Sequence, residues 1–195
     1  MAQTPSTMML PLGAKAPAFD LPDPAGRRWS LTGFEGSTAL LVAFICRHCP
    51  FVKHVRAGFA ALAADYQKRG VTVVAIASND TQAYPEDGPE GMAEEAREAG
   101  YSFPYLFDET QEVAKAYGAA CTPDFFLFDR ERRLFYRGQM DGSRPGNGVP
   151  VTGSDLRAAL DAVLGGRPAP DVQRPSLGCN IKWRPGNEPS YFTGA

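Results

Sequence analysis

The chain has 195 residues, enough for one well-cored domain with a tail and barely enough for two. A hydrophobic share of 44%, a charged share of 22% and a formal net charge of −2 suit an ordinary globular protein and give no electrostatic case for nucleic acid. No apolar run approaches the about 18 residues of a membrane span, and Met1 to Pro17 lacks the basic start and apolar stretch of a signal peptide. The expected setting is therefore the cytoplasm, where structural disulfides are rare. Four cysteines in that setting, Cys46, Cys49, Cys121 and Cys179, point toward redox or metal chemistry.

The opening segment through Asp23 is Pro-rich and irregular, and Arg27 to Leu31 suits a short strand. Thr38 to Ile45, TALLVAFI, is a continuous β-branched and apolar run, as in a strand buried on both faces of a sheet. From Cys49 the period changes: Val52, Val55, Phe59, Leu62 and Tyr66 recur at helical steps, and Gly70 reads as the C-cap. Val71 to Ser78 is a second buried strand, so the three elements predict a right-handed βαβ unit with parallel strands. Asn79 to Gly91 reads as polar loop, and Met92 to Ala99 as an acidic, solvated helix. Phe103 to Asp108 is a short strand and Glu109 to Gly118 a compact helix ended by glycine. DFFLFD (from Asp124) and RLFYRG (from Arg133) flank the turn at Arg130 to Arg132, which predicts a hairpin. Gly138 to Pro150 is a Gly- and Pro-rich loop of mobile or Ω type, in which Arg144 is a candidate anion ligand. Gly153 to Gly166 is a helix with Ser154 as N-cap candidate. Residues 10–165 thus form one domain, and the Pro-rich tail 166–195 is expected to dock on it through Ile181, Trp183, Tyr191 and Phe192.

Cys46-Arg47-His48-Cys49 sits where a buried strand hands over to a helix. Unpaired N–H groups and the helix dipole stabilise a thiolate at such a point. Arg47, His48, Lys53, His54 and Arg56 add positive potential, the setting that lowers a cysteine pKa. Cys46 is the expected nucleophile and Cys49 the more buried resolving thiol. A zinc half-site is the competing reading. It lacks a second cysteine pair at similar spacing, since Cys121 and Cys179 form none and His48 and His54 lie on the same segment.

Far downstream, Thr122-Pro123 precedes a strand just after a glycine-ended helix. In the order β-α-β-α-β-β-α this resembles the cis-proline loop of the thioredoxin superfamily, as does a Cys-x-x-Cys after the first core strand. The opening LPLGAKAPAFDLPDPAGRRWSL resembles the redoxin branch, which holds peroxiredoxins (AhpC/TSA) and TlpA/ResA-type proteins. CRHCPFVKH, CTPDFF, SRPGNG and GCNIKW together resemble a group of bacterial cytosolic thioredoxin-like proteins. The resemblance spans most of Leu12 to Leu164. It implies a thioredoxin-like α/β fold, with a central mixed sheet flanked by helices on both faces, an N-terminal redoxin extension and a docked tail. It further implies that Pro123 is cis, that the Thr122 backbone pairs with an extended segment of a partner, and that no cofactor or metal is needed. The implied activity is thiol–disulfide oxidoreduction on a disulfide-containing protein or small disulfide, with electrons from a thioredoxin-type system.

The chain also departs from the resemblance. Ile45 stands where thioredoxin has Trp, so aromatic packing over the site is expected to be missing, and no buried aspartate lies in TALLVAFI to serve Cys49. His48 before the second cysteine is similar to DsbA, where a donor stabilises the reduced form. A peroxiredoxin-like peroxidase or antioxidant role is the enzymatic alternative. It lacks the Pro-x-x-x-Thr-x-x-Cys motif, because Leu41, Val42, Ala43 and Phe44 supply neither proline nor threonine. A copper- or zinc-carrying redoxin is the alternative of another class; it lacks a distant histidine. Cys121, beside Thr122, and Cys179, in the tail, are accessory thiols or packing residues, and a Cys121–Cys179 bridge cannot be judged from spacing.

Overall fold

The computed structural model describes residues 3–192. Its strands are β1 (Thr4–Pro5), β2 (Asp20–Pro22), β3 (Arg28–Ser30), β4 (Ala39–Phe44), β5 (Val71–Ala77), β6 (Tyr105–Phe107), β7 (Cys121–Thr122), β8 (Asp124–Phe128), β9 (Leu134–Gly138) and β10 (Leu177–Asn180). Its helices are α1 (Pro50–Gln67), α2 (Pro89–Ala99), α3 (Glu112–Tyr117) and α4 (Ser154–Leu164). The central sheet has the order β6-β5-β4-β8-β9. β4, β5 and β6 run parallel, whereas β8 pairs antiparallel with β4 and with β9. This is the mixed sheet of a thioredoxin-like fold.

Alternation along the strands sorts two cores. Leu41, Ala43, Val73, Ala75, Phe125 and Leu127 face α1, α4 and Met92 of α2. Leu40, Val42, Phe44, Val74, Ile76 and Phe126 face α3 on the opposite side. The opening segment and the tail finish this second layer, contributing Phe19, Phe34, Ile181 and Trp183, with Tyr191 and Phe192 packed at its margin. Continuous apolar runs were needed for β4 and β5 because both faces are covered.

Local details differ from expectation. α1 starts at Pro50, with Cys49 as its N-cap, and its C-cap is Lys68; Gly70 is two residues beyond, at φ 86°. The N-cap of α4 is Gly153, at φ 70°, and Ser154 is the first helical residue. The tail, without visible pattern in sequence, supplies β10, which joins β1 and β7 in a three-stranded sheet of order β1-β10-β7.

Candidate active site

The parallel pairing of β4 with β5 carries one bond past the strand, from Ile45 N–H to the Ile76 carbonyl. The chain then turns through Cys46–Cys49 into α1, with Pro50 at the first helical position, where its missing N–H costs nothing. On the other side of β4, β8 brings up the cis Thr122–Pro123 peptide. Thr122 therefore meets both thiols. Its Oγ1 lies 3.3 Å from Cys46 Sγ, and its carbonyl accepts the Cys49 thiol at 3.2 Å.

Both thiols are sealed, Cys46 at 1% and Cys49 at 0% exposure. The expected contrast in burial is absent, and the electrostatics fall the other way from the sequence reading. Burial, then the hydrogen bond with Cys49, pushes the Cys46 thiol well up. Cys49 is held well below the ordinary thiol range by hydrogen bonds from Cys179 and Cys46. The reasons are geometric. It is Cys49, not Cys46, that caps the helix. The nearby cations are also committed elsewhere: Arg47 pairs with Glu94 and Glu98, Arg56 with Glu98, and His54 Nε2 meets Ser143 Oγ at 2.7 Å.

His48 finds Asp87, which lies in the segment whose composition is that of a polar loop. Asp87 Oδ1 accepts the His48 backbone N–H at 3.0 Å, and Oδ2 accepts His48 Nδ1 at 2.5 Å and Asn79 Nδ2 at 2.8 Å. The Asp87 contact raises the His48 pKa. Burial works upward on Asp87, yet these three donors hold its carboxyl below the usual range. Tyr84 stacks on the imidazole, ring centroids 4.9 Å apart and 15° from parallel. Aromatic cover thus comes from the 79–91 segment and not from the residue before Cys46. His48 Nδ1 lies 4.0 Å from Cys46 Sγ.

The acidic insertion is accordingly a wall of the site. Asp87 and Glu95 are fully enclosed, Tyr105 donates to Glu95 at 3.1 Å, and burial raises that carboxyl to about 7. Asp124, directly after Pro123, is likewise raised by burial to about 8. The signal that could have found Asp87 is slight: Asn79 and Asp87 sit among prolines and glycines that fix a loop instead of freeing it.

Cys121 is buried, its thiol 3.9 Å from the Pro123 carbonyl, and burial raises its pKa. Cys179 is buried on β10 and hydrogen-bonds Cys49, which raises the Cys179 pKa. No disulfide joins any of the four; β10 places Cys179 opposite Thr122 and Asn180 opposite Cys121. Arg144 is tied to its own loop, its Nη atoms donating to the carbonyls of Asp141 (2.7 Å) and Ser143 (2.6 Å) and to Gln139 Oε1 (2.6 Å). Lys53 is exposed on α1. Ligand atoms of Cys46, His48 and Asp87 lie within 4.8 Å of one another and could hold a soft metal ion, although the Asp87 carboxylate already receives three donors.

The chain has relatives among known proteins. The profile of the AhpC/TSA family matches residues 12–137. An uncharacterized conserved protein of Geobacillus kaustophilus, known from its crystal structure, is 56% identical, with a TM-score of 0.92 over 95% of this chain and 98% of that one. A Mycobacterium tuberculosis protein named as a peroxiredoxin, MT2597, is 32% identical over 60% of this chain and 68% of its own length. The thiol-disulfide oxidoreductase ResA of Geobacillus thermodenitrificans is 30% identical over 63% of this chain and 66% of its own.

Proposed function

The chain belongs to the AhpC/TSA family, and from that premise we propose that it is a thiol–disulfide oxidoreductase working through Cys46 and Cys49. One observation carries the reading: the two thiols share Thr122, one on its hydroxyl and one on its carbonyl, immediately before Pro123. A pair aligned on one residue is set to form a bond with each other.

In the proposed reaction Cys46 attacks a sulfur of a partner disulfide, and the partner's other sulfur leaves as thiolate. Cys49 then attacks Cys46 Sγ, releasing the second partner thiol and leaving Cys46–Cys49 oxidised. The partner gains two electrons and the dithiol loses them. A thioredoxin-type system returns the electrons, in the cytoplasm, and the partner is a protein or small-molecule disulfide.

The test is a pair of serine variants in an insulin-type disulfide reduction assay. Cys46→Ser abolishes turnover; Cys49→Ser accumulates mixed disulfides, because attack survives and resolution does not. Equal partial loss in both refutes the division of labour. The potential is expected between thioredoxin's roughly −270 mV and DsbA's roughly −120 mV. A relative named as a peroxiredoxin supports a second reading, thiol peroxidase. Rapid peroxide turnover with no disulfide reduction decides for it, and stoichiometric zinc or copper(I) binding that blocks thiol labelling decides for a metal carrier.

A further inference from the structure

The proposed couple leaves Cys179 unused, yet no thiol is placed with more care. β10 is held on both edges, by β1 at Thr4↔Gly178 and Pro5↔Leu177 and by β7 at Cys179↔Thr122 and Asn180↔Cys121. Beyond the strand, Ile181 N–H bonds the Ala120 carbonyl, Asp80 N–H bonds the Lys182 carbonyl, and Lys182 N–H bonds Asn79 Oδ1 at 2.9 Å. The tail is thereby stitched to the loop before Pro123 and to the loop that leads to Asp87. Gly178 sets the depth. A Cβ there would lie 2.0 Å from the Thr122 carbonyl oxygen, the same atom that accepts the Cys49 thiol. The next side chain, Cys179, reaches Cys49. Burial alone would make Cys179 a small hydrophobe; hydrogen bonding to one member of a dithiol, from a strand registered on the residue that aligns both, is a different placement.

We propose that Cys179 is a third redox thiol, which exchanges with the Cys46–Cys49 disulfide inside the same chain. The proposal rests on Cys46 and Cys49 acting as a couple. Cys179 sulfur attacks Cys49 Sγ; the Cys49–Cys179 bond forms and the Cys46–Cys49 bond breaks. Cys46 leaves as thiolate and takes up the proton that Cys179 released. No electrons enter or leave: one disulfide is isomerised. The oxidised protein then carries its disulfide on the tail while Cys46 is again a thiol.

Trypsin cuts after Arg47, Lys53, Arg130 and Lys182, so the four cysteines fall on four different peptides and each disulfide gives a distinct linked pair. The full-length protein is oxidised with one equivalent of diamide, quenched with N-ethylmaleimide and digested. In wild type the Cys49–Cys179 pair is expected at about a tenth or more of the Cys46–Cys49 pair, a ratio within about 30 mV. In Cys46→Ser it becomes the main disulfide. If Cys179 is fully alkylated in both proteins while wild type forms Cys46–Cys49, the inference is overturned and the couple stands. If wild type forms Cys49–Cys179 but never Cys46–Cys49, the exchange as written fails together with the couple it draws on. If neither pair forms, both fall; the wild-type arm decides even where the serine variant does not fold.

Discussion

Gly178→Ala isolates what the tail strand does. The new Cβ would sit 2.0 Å from the Thr122 oxygen, 2.6 Å from its carbonyl carbon and 3.2 Å from Pro123 N, all backbone atoms. Reaching even the 3.0 Å below which Cβ contacts essentially do not occur requires a retreat of 3.0 − 2.0 = 1.0 Å. The Thr122 side cannot give easily, because β8 follows at once and Asp124 is in register with Phe44 at the centre of the sheet. β10 must move, and a displacement of that size takes an N–H···O contact outside bonding range. Loss of about two hydrogen bonds at about 1 kcal/mol each, near Cys179 and Asn180, raises the detached fraction of the tail about thirty-fold. Alkylation of Cys46 and Cys49 reads that fraction, since both are sealed in the closed form and label in proportion to the open population when reclosure is fast. A labelling rate within about twofold of wild type, in a variant still folded by circular dichroism, refutes the claim that the tail closes the site.

Other outcomes follow from the turn and its wall. Asp87→Asn should destabilise by about 1.5–3 kcal/mol, the range for hydrogen bonds to a charged group. The His48 pKa is raised, so its part of the pair is full below 6.5 and fades as pH rises through the higher folded value. The Asp87 pKa is lowered, so its part is full above 3.8 and fades as pH falls through the lower folded value. The gap between wild type and variant in urea unfolding should be widest between those limits, and a gap flat from pH 4 to 9 contradicts the ion pair. His48→Ala should lower the reduction potential by about 30 mV, equivalent to about 1.4 kcal/mol, because it removes the imidazole that lies 4.0 Å from Cys46 and offsets the Asp87 carboxylate. Alanine is a cleaner choice than proline, which also deletes the N–H that Asp87 accepts. An unmoved glutathione equilibrium excludes His48 from tuning. Glu95 is raised from 4.5 to about 7 by burial, so wild-type stability relative to Glu95→Gln is fullest below 4.5 and is lost as pH rises through about 7. The swing should be about 3 kcal/mol; thermal unfolding of both proteins from pH 4 to 8 checks it, and parallel curves overturn it.

The sheet was legible in the chain because its two central strands are apolar on both faces, and α1 because Val52, Val55, Phe59 and Leu62 keep its period. The dithiol and Thr122-Pro123 were legible because each is a short motif at an element boundary. The charge between the thiols was not. It depends on where α1 begins, a matter of one turn, and on Glu94 and Glu98, which lie more than 40 positions from Arg47 and cancel it. Asp87 was hidden for a related reason: PEDGPEG has the composition of solvated loop, and only the distant His48 and Asn79 explain its burial. β10 left no pattern because LGCN is too short to show one, and its pairing is with residues more than 170 positions away at one edge and more than 50 at the other.

The sheet that joins β1, β10 and β7 also bears on the order in which the molecule is made. Residues 4–5 and 177–180 come from opposite ends of the described chain, yet they meet over Thr122. During synthesis the strands, α1 and the loop at Pro123 all leave the ribosome before residue 180 does. Through that interval Cys46 and Cys49 have Thr122 and the 79–91 segment beside them, but Cys49 lacks the Cys179 that hydrogen-bonds it. Arrival of β10 is what brings Cys179 to Cys49, so the thiol cluster is the last part of the site to be completed.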